Sequence, residues 1–114
     1  MVKVVVLLPR RSDMSSADFE RHLRQTHIPM VAQLPGLWRL VVNYARPDPN
    51  APPVPFDAVA EDWFDDPAAM GAAFGSPEGQ ALAADTPNFV DIERLQIMVV
   101  EEEEIALPSQ TSAV

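Results

Sequence analysis

Four stretches of the chain alternate apolar and polar side chains with the two-residue period of a strand, and the segments between them follow the period of a helix. In residues 1–8, MVKVVVLL, Val2, Val4, Val6 and Leu8 point one way and Lys3, Val5 and Leu7 the other. Residues 37–46 predict a second strand, with Trp38, Leu40, Val42 and Tyr44 on one face and Arg39, Val41 and Asn43 on the other. Residues 56–64 predict a third, in which Val59, Glu61 and Trp63 oppose Ala58, Ala60, Asp62 and Phe64. In the fourth, about residues 92–103, Leu95, Ile97 and Val99 alternate with Gln96, Met98 and Val100. Between the first two strands, Phe19, Leu23, Met30 and Leu34 fall in one narrow stripe at about 100° per residue. Ser15 is an N-cap with Asp18 three residues on, and Pro35-Gly36 is a stop, so a helix is expected over about residues 16–34. Asp66-Pro67 and Ser76-Pro77 each place a cap before a proline at the first helical position, and predict short helices over 67–74 and 77–85.

The resulting order, β-α-β-β-α-β, is the ferredoxin-like split βαβ arrangement of the α+β class: a four-stranded antiparallel sheet with both helices on one face. The other face has no cover within the chain. Yet the strands carry apolar side chains on both sides, among them Val5, Leu7, Trp38 or Val41, and Ile97 or Met98. Each Leu, Ile or Val is worth roughly 1.5–3 kcal/mol when buried rather than exposed. A homodimer packed sheet face to sheet face is therefore expected, with room for a small hydrophobic ligand between the sheets or between sheet and helix. Residues 1–105 form one domain in this reading, and the small, polar residues 106–114 a disordered tail.

Composition narrows the partners. The formal charge is −9, from 17 acidic and 8 basic residues, which argues against nucleic acid and anionic membranes. Glu101 to Glu104 form an acidic run read as a solvated strand end. There is no cysteine, so disulfides, thiol nucleophiles and thiolate metal sites are excluded. No apolar run approaches the ~20 residues of a membrane span, and the start lacks the zones of a signal peptide. A cytoplasmic enzyme or binding protein is expected. Residues 47–55, PDPNAPPVP, hold five prolines in nine positions and form a stiff surface connection, a plain connector or the rim of a site.

Chemistry concentrates at His27, on the edge of the apolar stripe and two residues before Pro29. Pro29 has no N–H to give the Gln25 carbonyl and disfavours α geometry at Ile28, so the helix is expected to kink or break there. In the last regular turn His27 can take up a freed carbonyl, with the helix dipole favouring its protonated form. Two readings stay open, a histidine that satisfies the kink and an acid/base group at the mouth of a pocket. His22 lies about 140° round the helix from His27 and reads as solvated, unable to share a metal with it. Glu61 and Asp62 point to opposite faces of the third strand, so a sheet covered on both sides buries at least one carboxylate.

The segments MVKVVVLLPRR, FERHLRQTHIPMVAQLPGL, AEDWFDD and AFGSPEGQALAADTPNFVD resemble the EthD-like family of the dimeric α+β barrel superfamily, over roughly residues 1–104. The most specific elements are His27-x-Pro29 followed by Leu34-Pro35-Gly36, and Trp63-Phe64-Asp65 followed by Ser76-Pro77-Glu78. The family takes its name from an accessory protein of ether degradation. Related barrels include lactone isomerases, aromatic polyketide cyclases and decarboxylases, and cofactor-free monooxygenases. The resemblance implies a small, apolar, oxygenated ligand, acid/base chemistry and no cofactor or metal. It maps the family's helix histidine onto His27, with Glu61 to orient it and Tyr44, Trp63, Asp62 and Met30 lining the substrate; Trp38 reads as packing. Leu40, in place of an aromatic, and Asp62, in place of an apolar residue, depart from the pattern.

Two functions follow. One is a cofactor-independent lyase, isomerase or cyclase acting on a small hydrophobic carbonyl or aromatic compound, with His27 as general acid/base. The other is an accessory protein of a degradation pathway that binds such a compound without chemistry. Haem or metal binding, with one well-placed histidine and no cysteine, is the remote third.

Overall fold

The computed structural model describes residues 1–108, so the expected disordered tail falls, from residue 109 on, outside the described residues. The chain runs β1 (Val2–Leu8), α1 (Ser16–His22), a five-residue π turn (Leu23–His27), α2 (Ile28–Val31), β2 (Arg39–Tyr44), β3 (Ala58–Phe64), α3 (Pro67–Gly75), α4 (Pro77–Asp85), a short 3₁₀ turn (Thr86–Asn88) and β4 (Gln96–Val100). The strands form one antiparallel sheet in the order β2-β3-β1-β4. This is the expected ferredoxin-like α+β topology.

The caps act where they were expected. Ser15 Oγ accepts the Asp18 N–H at 3.1 Å, Asp66 accepts the Ala69 N–H at 2.8 Å, and Ser76 accepts the Gly79 N–H at 3.1 Å. Gly36 ends the first crossover at φ 81°, a conformation L side chains rarely adopt. The fourth strand is shorter than expected. Residues 92–95 belong to a turn closed by the Arg94 and Leu95 N–H groups on the Asp91 carbonyl, at 3.1 Å each.

The helix does not break at Pro29. The Ile28 N–H reaches back five residues to the Leu23 carbonyl, and Ile28 keeps α geometry at φ −61° and ψ −40°. The widened turn takes up the proline, which then falls in the first turn of α2, where no N–H is called on.

Register settles the faces. Val4 pairs with Asp62 and Asp62 with Leu40, so the even-numbered side chains of β1, β2 and β3 all face the helices. There the core divides in two. Leu8, Phe19, Leu23, Ala58, Ala60, Phe89 and Val90 form one cluster; Val4, Val31, Leu34, Phe64, Ala73 and Leu82 form the other. Asp62, 4% exposed, lies on β3 between Ala60 of the first and Phe64 of the second. On the far face Lys3, Arg39, Asn43 and Glu61 interrupt Val5, Leu7, Val41 and Met98. The open face is thus half apolar, less greasy than the pattern suggested. On β4 Ile97, Met98 and Val99 are all more than half exposed.

The joint between α3 and α4 depends on Gly79. A Cβ there would overlap the Phe74 carbonyl and stand 2.6 Å from the Ala73 oxygen. Gly71, in α3, has nothing within 4 Å of the same position. Gly79→Ala is expected to destabilise the fold by about 1–3 kcal/mol through backbone displacement, despite alanine's better helix propensity. Gly71→Ala is expected to stabilise it by about 0.5–1 kcal/mol. Urea unfolding of the two variants checks the pair.

Candidate functional site

The first crossover carries two histidines, and the π turn decides where they point. In a regular helix, residues five apart lie on different faces. A turn closed from residue i to i+5 carries them onto one face, and both rings meet Asp85, the last residue of α4. His27 Nδ1 lies 2.8 Å from Asp85 Oδ2, and His22 Nε2 lies 3.0 Å from each carboxyl oxygen. Asn88 Nδ2 donates to Asp85 Oδ1 at 3.1 Å. Phe89 underlies both imidazoles, with ring centroids 4.6 Å from His22 and 4.8 Å from His27. The Arg11 N–H on the Phe89 carbonyl and the Asp91 N–H on the Pro9 carbonyl fix this segment against the end of β1.

The carboxylate dictates the tautomers. An ionised Asp85 only accepts, so His27 Nδ1 carries the hydrogen and Nε2 presents a lone pair. Among the described residues nothing bonds that Nε2, and it is not sealed from solvent. Burial pushes the His27 pKa below 6.5 and outweighs the pull of Asp85 in the other direction. The ring is neutral at pH 7, opposite to the protonated form expected from the helix dipole. Burial raises the Asp85 carboxyl, but hydrogen bonds from His27, His22 and Asn88 outweigh it and hold the group below the usual carboxylate range. His22 is the second correction: it is tied to Asp85 rather than solvated, with 23% of its side chain exposed.

Asp85 was not singled out in the sequence, although it carried a signal. An acid at the C-terminal end of a helix opposes the macrodipole and calls for donors. The structure separates Glu61 from His27. Glu61 lies on the open face, 3.0 Å from Lys3 Nζ and accepting from Asn43 Nδ2 at 3.0 Å. Those two bonds, Asn43 first, lower its pKa. The carboxylate that orients His27 is Asp85.

Trp63 is on the open face with Glu61. Its ring lies 4.3 Å from the Arg39 guanidinium and 4.9 Å from Lys3 Nζ, and its Nε1 donates to Glu102 at 3.2 Å. Tyr44, Asp62 and Met30 share the helix side with His27. Tyr44 packs on the first cluster with Arg24 4.0 Å and Arg46 5.8 Å from its ring, and Met30 packs on the second. A groove of about 690 Å³ lies elsewhere, between residues 45–57 and the start of α1, lined by Ser16, Glu20, Arg46, Val54 and Phe56 among others. Among the described residues, no group of three His, Cys, Asp or Glu is placed to hold a metal ion, and no helix is long and apolar enough to cross a membrane.

The sequence profile of the EthD domain matches residues 11–93. An uncharacterized 11.0 kDa protein encoded in the thcB-thcC intergenic region of Rhodococcus erythropolis is 33% identical over 108 residues, covering 95% of this chain and 100% of that protein. The crystal structure of an ethyl tert-butyl ether D (EthD) family protein from Bacillus halodurans C-125 superposes with a TM-score of 0.78 at 27% identity, covering 90% of this chain and 99% of the other. At lower identity the likeness is of fold alone. SnoaB, a cofactor-independent oxygenase from Streptomyces nogalater, matches at 19% identity and a TM-score of 0.66, over 94% of this chain and 96% of its own. A dimeric ferredoxin-like protein from Thermobifida fusca YX matches at 12% and 0.69, over 89% and 90%.

Asp62 gives the site's sharpest stability prediction. Its Oδ1 is buried without a hydrogen-bond partner, and burial raises the carboxyl to about 6. A folded pKa above the unfolded 3.8 means stability held below pH 3.8 and lost as pH rises through 6, about 3 kcal/mol in all. Asp62→Asn removes that titration. The unfolding free energy of the variant minus that of the wild type is expected to climb by about 2.4 kcal/mol between pH 4 and pH 7. A difference flat with pH would show that the carboxyl has a partner.

Proposed function

The chain belongs to the EthD domain family, and from that footing we propose that it is a small cofactor-independent enzyme of catabolic or secondary metabolism. It acts as a lyase, isomerase or cyclase on a small hydrophobic carbonyl or aromatic compound, with His27 as the proton-transfer group. The observation that carries this reading is the His27–Asp85 pair: a buried, neutral imidazole whose Nδ1–H is fixed on a carboxylate at 2.8 Å. Nε2 then has one task open to it, to take a proton. Removing a proton from carbon next to a carbonyl leaves an enolate and an imidazolium, whose positive charge the Asp85 carboxylate stabilises. Returning the proton at a second atom completes an isomerisation; where the enolate carbon instead adds to a second carbonyl of the same molecule, the resulting alkoxide takes the proton and a ring closes. The fold neighbour SnoaB is described as a cofactor-independent oxygenase, which is consistent with catalysis without a cofactor on this scaffold.

The enzyme works as a homodimer in this proposal, sheet face against sheet face. Support comes from the half-apolar open face, on which Met98 is more than half exposed, and from fold neighbours described as dimeric. The second reading, a ligand-binding accessory protein, draws on one observation. The open groove of about 690 Å³ lies against the proline-rich loop and away from His27.

Turnover of a panel of hydrophobic ketones, enones and lactones, followed by mass spectrometry in deuterated buffer, separates the two. Wild-type protein is expected to exchange or rearrange at least one compound, and His27→Gln to lose that activity with its circular dichroism unchanged. Asp85→Asn, which permits the wrong tautomer, is expected to lower the rate by about 10²–10⁴. The neutral ring is the active form, so the limb of the rate profile set by His27 rises with pH through a midpoint below 6.5. Compounds bound but returned unchanged would favour the accessory role.

A further inference from the structure

Asp62 is the buried titratable group that this mechanism leaves idle. Its Oδ1 is the one buried side-chain polar atom among the described residues without a hydrogen-bond partner. Leaving such an atom unpaired forfeits its hydration with nothing in return, and native proteins rarely accept that without a use for the group. No ion pair reaches it either. Its neighbours across the strands are Val4 and Leu40, and those along β3 are Ala60 and Phe64. The helix layer over the second cluster contributes Ile28, Met30, Val31 and Leu34, none of them titratable. Burial is the only cause acting on its proton.

The carboxyl also lies on the same side of the sheet as His27. Ile28, the next residue after His27, packs against both core clusters, and Asp62 sits at the seam between them. Met30, half-buried over the second cluster, is unbranched and adaptable and can make way for a small ligand.

We propose that Asp62 is the oxygen-binding residue of this site: its carboxyl, protonated, donates to the carbonyl oxygen of a small hydrophobic compound held between the helix layer and the sheet. The surroundings suit a ligand that is apolar apart from one acceptor. A ketone oxygen accepts a hydrogen bond and brings no charge into the layer, whereas an ammonium would have to be desolvated there. As a proton leaves the neighbouring carbon, charge grows on that oxygen and the bond from Asp62 strengthens. The inference rests on the carbonyl substrate class proposed above and is independent of whether His27 performs chemistry.

The test is equilibrium binding, which needs no turnover. Acetophenone and ethylbenzene have nearly the same shape and differ in the carbonyl oxygen. Their dissociation constants for the full-length protein, measured by ligand-observed NMR at pH 5.5 and pH 7.5, are expected to favour acetophenone, with that preference larger at pH 5.5 by about fivefold or more. Ethylbenzene binding is expected to vary little with pH. Asp62→Leu is expected to bind both probes alike at both pH values. Should that variant fold poorly, Asp62→Asn keeps a donor that does not titrate, and its preference for the ketone should be independent of pH. Equal affinity of the wild type for the two probes, absence of binding by either, or a ketone preference that survives unchanged in Asp62→Leu overturns the proposal. Loss of turnover in His27→Gln, or its persistence, has no bearing on this result.

Discussion

One carboxylate ties the two crossovers of this fold together. Asp85 sits where a helix dipole disfavours an acid and where burial penalises charge, and three donors from two parts of the chain hold it ionised. His22 and His27 supply two of them from the first crossover and Asn88 the third from just beyond the second. Two imidazoles five residues apart can meet one carboxylate only if the helix between them widens. The π turn, the placement of Pro29 in the first turn of α2 and the packing of Phe89 beneath both rings are consistent consequences of that demand. The interaction that pins the helix layer also fixes the tautomer of His27.

Much of this was legible from residue order. The alternation in the strands assigned every side chain of β1, β2 and β3 to its correct partner group, because strand parity is a local property. The caps at Ser15, Asp66 and Ser76 were equally local and equally readable. What escaped were statements that depend on geometry between elements. Placing His22 at about 140° from His27 assumed a regular α-helix, and the assumption failed over five residues. Parity said that Glu61 and Asp62 point apart but not which of them faces the helices, so the orienting role went to the carboxylate on the wrong side of the sheet. Asp85 had no motif around it beyond its awkward position at a helix end.

The open face shows a different economy. Lys3 bridges Glu61 and Glu102 at 3.0 and 3.1 Å, and Trp63 lies buried beneath Lys3 and Arg39. A side chain that hydrophobic patterning would assign to an interface is here covered by the cationic groups of its own neighbours. The acidic run after β4 is therefore more than a solubilising tail, since Glu102 bonds both Lys3 and the Trp63 indole.

The two sides of the sheet hold protons in opposite ways. Hydrogen bonds to Glu61 and Glu102 raise Lys3, while bonds from Asn43 and Lys3 lower Glu61 and those from Lys3 and Trp63 lower Glu102. All three are therefore driven further into their charged forms and exchange no protons near neutrality. On the helix side burial acts in the reverse sense on two groups, lowering His27 below 6.5 and raising Asp62 to about 6. Groups of opposite charge type drawn toward neutrality within one layer are how a site obtains an acid and a base at the same pH. The charged face and the depleted one lie on opposite sides of the sheet, and burial alone, with no ion from the first, acts on Asp62 in the second.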